Sequence, residues 1–257
     1  MSNNDLNPLN SPILQIERRK AIAIVAAAAI LASSLGIGLA KVGSGFAERG
    51  NNGITVTGSA KTSATADNAV WTLNVSLTSP TVSSAVTKVG SDVVAVTKYL
   101  TDGGIPASEI TLGSVSTYGN EEWSNGNSTG RILNYRASRD VVVRSKDVQL
   151  ISKLAQGIGS LLQTGVSVNN YGPQYYISTL PSLRPELLEA AMKDAKVRAE
   201  AITKAVGGSV GNVQSVRAGV FQVTTPDSTM TSDGGAYDTT SIEKTVTSTV
   251  SVTFSVN

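Results

Sequence analysis

The chain has 257 residues, a formal net charge of +2, and neither cysteine nor histidine. Those two absences exclude disulfides, thiol nucleophiles, Cys-ligated zinc or iron–sulfur sites and any Ser-His-Asp triad. The charge does not point to nucleic acid either: from Asn51 onward sixteen Lys and Arg balance sixteen Asp and Glu, so that part offers no footprint for a phosphate backbone.

Residues 1–20 are polar and Asn-containing and end in Arg18-Arg19-Lys20. They read as a short cytoplasmic tail. Ala21–Ala40 follows with no charge in twenty residues. At helical rise that is about 30 Å, the thickness of a bilayer's hydrocarbon core. Three readings compete for it. A retained transmembrane anchor fits its length and its lack of proline. A cleaved signal peptide fits the basic flank and the small-residue end at Gly38–Ala40. A buried core helix would need cover on every side. The anchor is favoured, because the leader before the apolar run is long for a signal peptide. Three basic residues immediately before the span, against Lys41 and a more distant Arg49 after it, put the N-terminus inside and the large domain outside. Residues 41–53 carry four glycines and read as a flexible linker.

Ile54–Ala60 and Ala66–Ser79 alternate as strands, and Pro80 ends the second. Thr81–Leu100 has apolar residues at spacings of three and four, which predicts a helix despite its β-branched residues; Gly103–Gly104 stops it. Ile110–Tyr118 and Ile132–Val143 read as strands, with Gly119–Arg131 as the hairpin tip between them. Asp147–Gln163 is a second helix. Val166–Ser178 is a strand interrupted at Gly172–Pro173. Ser182–Val206 has the clearest helical stripe, with three acid-before-base pairs at i,i+4 on its polar side, Pro185 in its first turn and Gly207–Gly208 at its end. Val213–Thr225 and Ile242–Val256 are the last strands, and Pro226–Ser241 is a long polar tip between them.

The order strand, helix, Gly-Gly, strand, tip, strand occurs twice. This predicts an α+β fold of two related lobes, about 54–146 and 147–257. Each is a helix-backed, mostly antiparallel sheet with a long projecting hairpin, and one transmembrane helix precedes both. The helix Asp147–Gln163 would connect the lobes.

The domain opens with Ile54-Thr-Val-Thr-Gly58 and continues with Ala66-Asp67-Asn68-Ala69. Gly104-Ile105-Pro106, Glu109-Ile110 and Tyr135-Arg136-Ala137-Ser138 before Val141-Val142-Val143 follow. An Ala-rich helix, Leu187–Val206, closes at Gly207. This ordered set resembles the SIMPL-domain family of bacterial envelope proteins, over roughly residues 54–257. One departure is Ala66, where the family often has Pro. The resemblance implies export behind a signal peptide or anchor, and hence the bacterial inner membrane with the domain periplasmic or extracellular. It also implies an association with envelope or oxidative stress, and with immunogenic surface antigens, and assembly into ring-like homo-oligomers. It carries over no catalytic residue.

Candidate chemistry is sparse, and no catalytic, cofactor-binding or metal site is expected. Ser241-Ile-Glu-Lys244 matches S-x-x-K, but that pair cooperates on a helix, and here it opens a strand whose i and i+3 positions face opposite ways. Glu121 and Glu122 are neighbours in a tip rather than converging carboxylates. Asp227, Asp233 and Asp238 lack the spacing of a calcium loop. Asn127-Ser-Thr129 fits a glycosylation sequon, a pattern common by chance. Trp123 is the one interaction residue singled out: an aromatic among polar residues is favoured at interfaces, and the competing reading has it folding back onto its own hairpin. Expected partners are the membrane, through residues 21–40, and further copies of the chain. The favoured function is thus a non-enzymatic, self-assembling envelope protein with a structural, scaffold or pore-like role. The alternatives are an anchored binding module acting in stress protection as a monomer or dimer, and, with least support, an enzyme using carboxylates.

Overall fold

Alternation at period two decides which face of a strand is covered. The computed structural model describes residues 53–257. In chain order its elements are β1 (Ile54–Thr65), β2 (Asn68–Ser79), α1 (Val82–Asp102), β3 (Ile110–Leu112), β4 (Ser116–Ser124), β5 (Asn127–Ser145), α2 (Val148–Gly157), α3 (Gly159–Gln163), β6 (Val168–Asn170), β7 (Gln174–Tyr176), α4 (Leu180–Ala205), β8 (Val210–Ala218), β9 (Gln222–Thr224) and β10 (Glu243–Val256). They form an α+β fold with two sheets, in which every strand pair is antiparallel.

The first sheet runs β1-β10-β8, with β9 also on β10. Along β10, Val246, Ser248, Val250, Val252 and Phe254 are buried beneath α4, while Thr245, Thr247, Thr249, Ser251 and Thr253 line the opposite, partly exposed face. One face is dry and the other is a Ser/Thr surface, the usual division of an antiparallel sheet covered on one side. Fully burying an apolar side chain of this kind contributes about 1.5–3 kcal/mol. Ala191, Ala195 and Ala199 form the buried stripe of α4, and their small size lets the helix lie close on β1. It ends in a Schellman arrangement: Gly207 takes φ +80°, and the Gly208 N–H reaches the Thr203 carbonyl at 2.9 Å.

The second sheet runs β3-β5-β2-β6, with β4 on β5 and β7 on β2. Trp71, Leu73 and Val75 of β2 and Ala137, Val141 and Val143 of β5 pack against Val89, Val93, Val96 and Leu100 of α1 and Ile151 and Leu154 of α2. Thr81 caps α1, its hydroxyl accepting from the Ser84 N–H, and Asp147 caps α2 through the Leu150 N–H. The Trp71 indole donates to Asn170 of β6 at 2.8 Å, which satisfies its buried N–H.

Several expectations are corrected. The sheets do not divide the chain at residue 146: β1 leaves the first half to pair with β10, and β6 and β7 leave the second half to pair with β2. Gly119–Arg131 is a hairpin tip as expected, but the strands run into it, so that it turns tightly at Asn125-Gly126. The helix over 147–163 breaks at Ile158 and lies with the second sheet rather than linking two lobes. The second tip does not project, since Gln222 holds it down through the Ser232 carbonyl and the Ala236 N–H. The bend at Gly172–Pro173 divides β6 from β7, as the pattern predicts, and both run along β2. Among the described residues no helix is long and apolar enough to cross a membrane; Ala21–Ala40 lies outside them.

Gly58 marks how tightly α4 sits. A Cβ there would overlap the Ala191 carbonyl oxygen and the Ala195 backbone nitrogen. Gly58→Ala should therefore cost about 1–3 kcal/mol, the usual range for overpacking. It should be read as a lower denaturant midpoint at unchanged m-value.

Candidate functional site

Only Ala66 and Asp67 separate β1 from β2, so the chain passes between the two sheets in one step. The Ala66 N–H donates to the Ile242 carbonyl at 2.9 Å and the Asp67 N–H to the Tyr176 carbonyl at 3.0 Å. The Asp67 carboxylate accepts from both the N–H and the hydroxyl of Ser178, each at 2.7 Å. Burial pushes the Asp67 pKa up, but the Ser178 hydrogen bonds and nearby Lys146 outweigh it, so the carboxyl stays below its ordinary range.

The loop between β9 and β10 returns to the same place. The Tyr175 N–H donates to the Thr239 carbonyl at 2.8 Å, and the Ile177 N–H to the Tyr237 hydroxyl at 3.0 Å. Beside these, the Asp238 carboxylate collects the hydroxyls and backbone N–H groups of Thr240 and Ser241 and the Lys244 ammonium at 3.0 Å. Lys244 also donates to the Asp238 carbonyl at 2.6 Å, and its side chain is 0 % exposed. Burial raises the Asp238 pKa, but the bonds from Ser241, Thr240 and Lys244 prevail and hold it far below the usual carboxylate range.

The structure thus brings Ser241 and Lys244 together, against the expectation from strand geometry, because Ser241 lies just ahead of β10 and both side chains turn to one carboxylate. That carboxylate stands between them. Both side chains donate to it, so Ser241 and Lys244 do not bond to each other. The cluster is a clamp rather than a nucleophile and base. Asp227 and Asp233 do not join it, and among the described residues no three His, Cys, Asp or Glu side chains gather as metal ligands would. Depressions of about 260 and 420 Å³ flank Tyr237. Arg184 lies at the rim of the second, 5.6 Å from the Phe221 ring centroid.

Two surfaces stand apart from the clamp. The first is the β4–β5 hairpin. β2 pairs with β5 only from Tyr135 onward, so Asn127–Asn134 and the facing part of β4 extend as a two-stranded ribbon of about 26 Å at strand rise. Asn125 and Gly126 turn it with φ +51° and +80°, the left-handed pair that a two-residue hairpin turn requires. Glu122 pairs with Arg131, and Glu121 accepts from the Ser128 hydroxyl, so both acids serve the ribbon. Trp123 does not fold back: it is 67 % exposed, and Tyr118 is equally so. Asn127, Ser128 and Thr129 are exposed on the same ribbon.

The second surface is β8. Sheet edges need protection, and the edges of the first sheet are treated unequally. On β1 the Ser59 N–H is taken by Asp194 of α4 at 2.8 Å. β8 is the opposite edge, almost entirely exposed, and its Val213 and Val216 keep about half their surface in water. They lie opposite Phe254 and Val252, on the face that α4 covers elsewhere. The uncovered strip between α4 and β8 is a groove of about 480 Å³ lined by Met192, Lys193, Lys196, Val213 and Phe254.

The clamp makes a testable link to pH. A carboxyl whose folded pKa is depressed contributes stability above its unfolded value, near 4, that is lost as pH falls through the folded value. Asp238→Asn should remove part of the acid-side loss of stability seen between pH 5 and 2 in parallel denaturation series. Lys244→Ala, which leaves Asp238 without its buried partner, should cost about 3–5 kcal/mol at neutral pH.

No curated protein matches the chain. A family model does, that of SIMPL, described as a protein of unknown function (DUF541), over residues 54–254. Its first matched residue opens β1 and its last lies near the end of β10, so the match takes in both sheets, the clamp, the ribbon and the bare edge. The chain belongs to the SIMPL family.

Proposed function

We propose that this is a membrane-anchored, self-assembling envelope protein. In this reading Ala21–Ala40 spans the inner membrane with the N-terminus cytoplasmic, the ectodomain lies outside, and its two sheets are related lobes. Copies join in a ring-like homo-oligomer with a structural, scaffold or pore-like role and no enzymatic one. The observation that carries the reading is the unequal treatment of the first sheet's edges: Asp194 of α4 takes an edge N–H of β1, while β8 is almost entirely exposed and carries a wet apolar strip. An edge that is bare on one side only favours a contact with a different surface of the next copy, and a head-to-tail contact closes into a ring when its rotation allows. The ribbon supplies such a surface, with Trp123 as its anchor.

The binding-module alternative, acting as a monomer or dimer, draws support from the depressions around Tyr237 and Arg184. Solution mass separates the two. The detergent-solubilised full-length chain should be large and discrete. Val213→Lys with Val216→Lys should reduce it to monomer with stability within about 0.5 kcal/mol of the parent, as for other exposed positions. A large mass that survives this change removes β8 from the assembly, and one that survives Trp123→Ala removes the ribbon tip. A monomeric parent sinks the ring and turns attention to the clefts.

A further inference from the structure

The last turn of α4 is unusual for a helix end in water. From Ala201 to Val206 only Thr203 is buried and only Lys204 is charged. Ile202 is 49 % exposed and Val206 78 %. Gly208 brings the turn against Val256 of β10, itself partly exposed. Nothing in the two cores uses these side chains.

The path of the chain says what lies near them. Gly53 sits against the Phe254 carbonyl and Gln214, and Ile54 pairs with Phe254. Val256 therefore extends past Ile54 in the direction from which the chain enters the domain. Twelve residues, 41–52, separate Gly53 from the end of Ala21–Ala40, and such a length reaches at most about 40 Å. The helix end, the strand end and the entry point share one end of the first sheet, and that end is tied close to the bilayer. A surface tethered at short range meets its target at high effective concentration, so a weak contact is populated. Lys193, Lys196, Arg198 and Lys204 against Asp194 and Glu200 give this half of α4 a cationic excess, which suits anionic head groups.

We propose that this end is a membrane-contact site, in which Ile202, Lys204, Val206 and Val256 rest in the head-group layer of a phospholipid bilayer. The proposal rests on the anchored reading above. It fixes how the ectodomain stands: on the C-terminal end of α4, with β8 and its groove turned sideways.

The chain has no cysteine, so one introduced thiol is a unique label. Val206→Cys and, as reference, Val94→Cys on α1 (68 % exposed) would each carry a fluorophore in full-length protein. The protein would be reconstituted into phosphatidylcholine–phosphatidylglycerol nanodiscs containing head-group nitroxide lipid. Quenching at 206 several-fold greater than at 94 is the expected result. Equal quenching in a chain that remains in the disc overturns the contact and leaves the anchor standing. A label at 206 shielded from both lipid nitroxide and aqueous iodide means that a second copy covers the site, which also overturns it. A chain that does not enter the disc overturns the anchor, and this proposal with it.

Discussion

The fold depends on the buried pairing of Lys244 with Asp238, together with the adjoining bonds that Ser178 donates to Asp67. Each sheet has its own core, and the chain crosses between them at Ala66–Asp67 and again ahead of α4. At such a crossing backbone groups leave one ladder before entering the next, and buried groups without partners are costly. The carboxylates supply the missing acceptors. Asp67 ties the first crossing to the second, and Asp238 ties the β9–β10 loop to the strand it precedes. A buried ion pair adds little net stability compared with apolar packing, yet losing one partner is expensive. Its role here is to fix how the strand and the returning loop meet.

With the interior fixed in that way, the outside divides by exposure. The acids that could suggest catalysis are committed: Asp238 to Lys244, Glu122 to Arg131, Asp194 to Ser59 and Arg198. What is left over is surface without intramolecular partners, namely the β8 edge, the ribbon tip and the last turn of α4. Val206 and Trp123 keep most of their surface in solvent.

Much of this was legible from periodicity. The alternation of Ile242–Val256 and the stripe of Ser182–Val206 locate the central strand and the main helix to within about two residues. Pairing was not legible, because period two says which face a residue takes and not which strand lies beside it. Hence a division into lobes by sequence order missed the exchange of β1 for β6 and β7. The ribbon's turn carries a readable signal, since Asn125-Gly126 is a strong two-residue turn pair, set among other Gly, Asn and Ser residues. The meeting of Ser241 with Lys244 had none, since it depends on how a loop folds back before the strand begins. The family resemblance pointed to Ala66-Asp67 and Gly58 without giving reasons. The reasons are a crossing that needs an acceptor and a helix that leaves no room for a Cβ.

The pairing of β1 with β10 also sets an order of events. Ile54 lies opposite Phe254, and β10 stands between β1 and both β8 and β9. The first sheet therefore has no intermediate form in which its early strands pair with each other. During synthesis β1 emerges first and waits through some 180 residues for the strand that completes it. Contacts so distant in sequence form slowly, after loop closure over most of the domain. Pairing within the first sheet thus begins only once Glu243–Val256 has arrived. In that interval β1 is an unpaired strand, for which strands of neighbouring chains could compete.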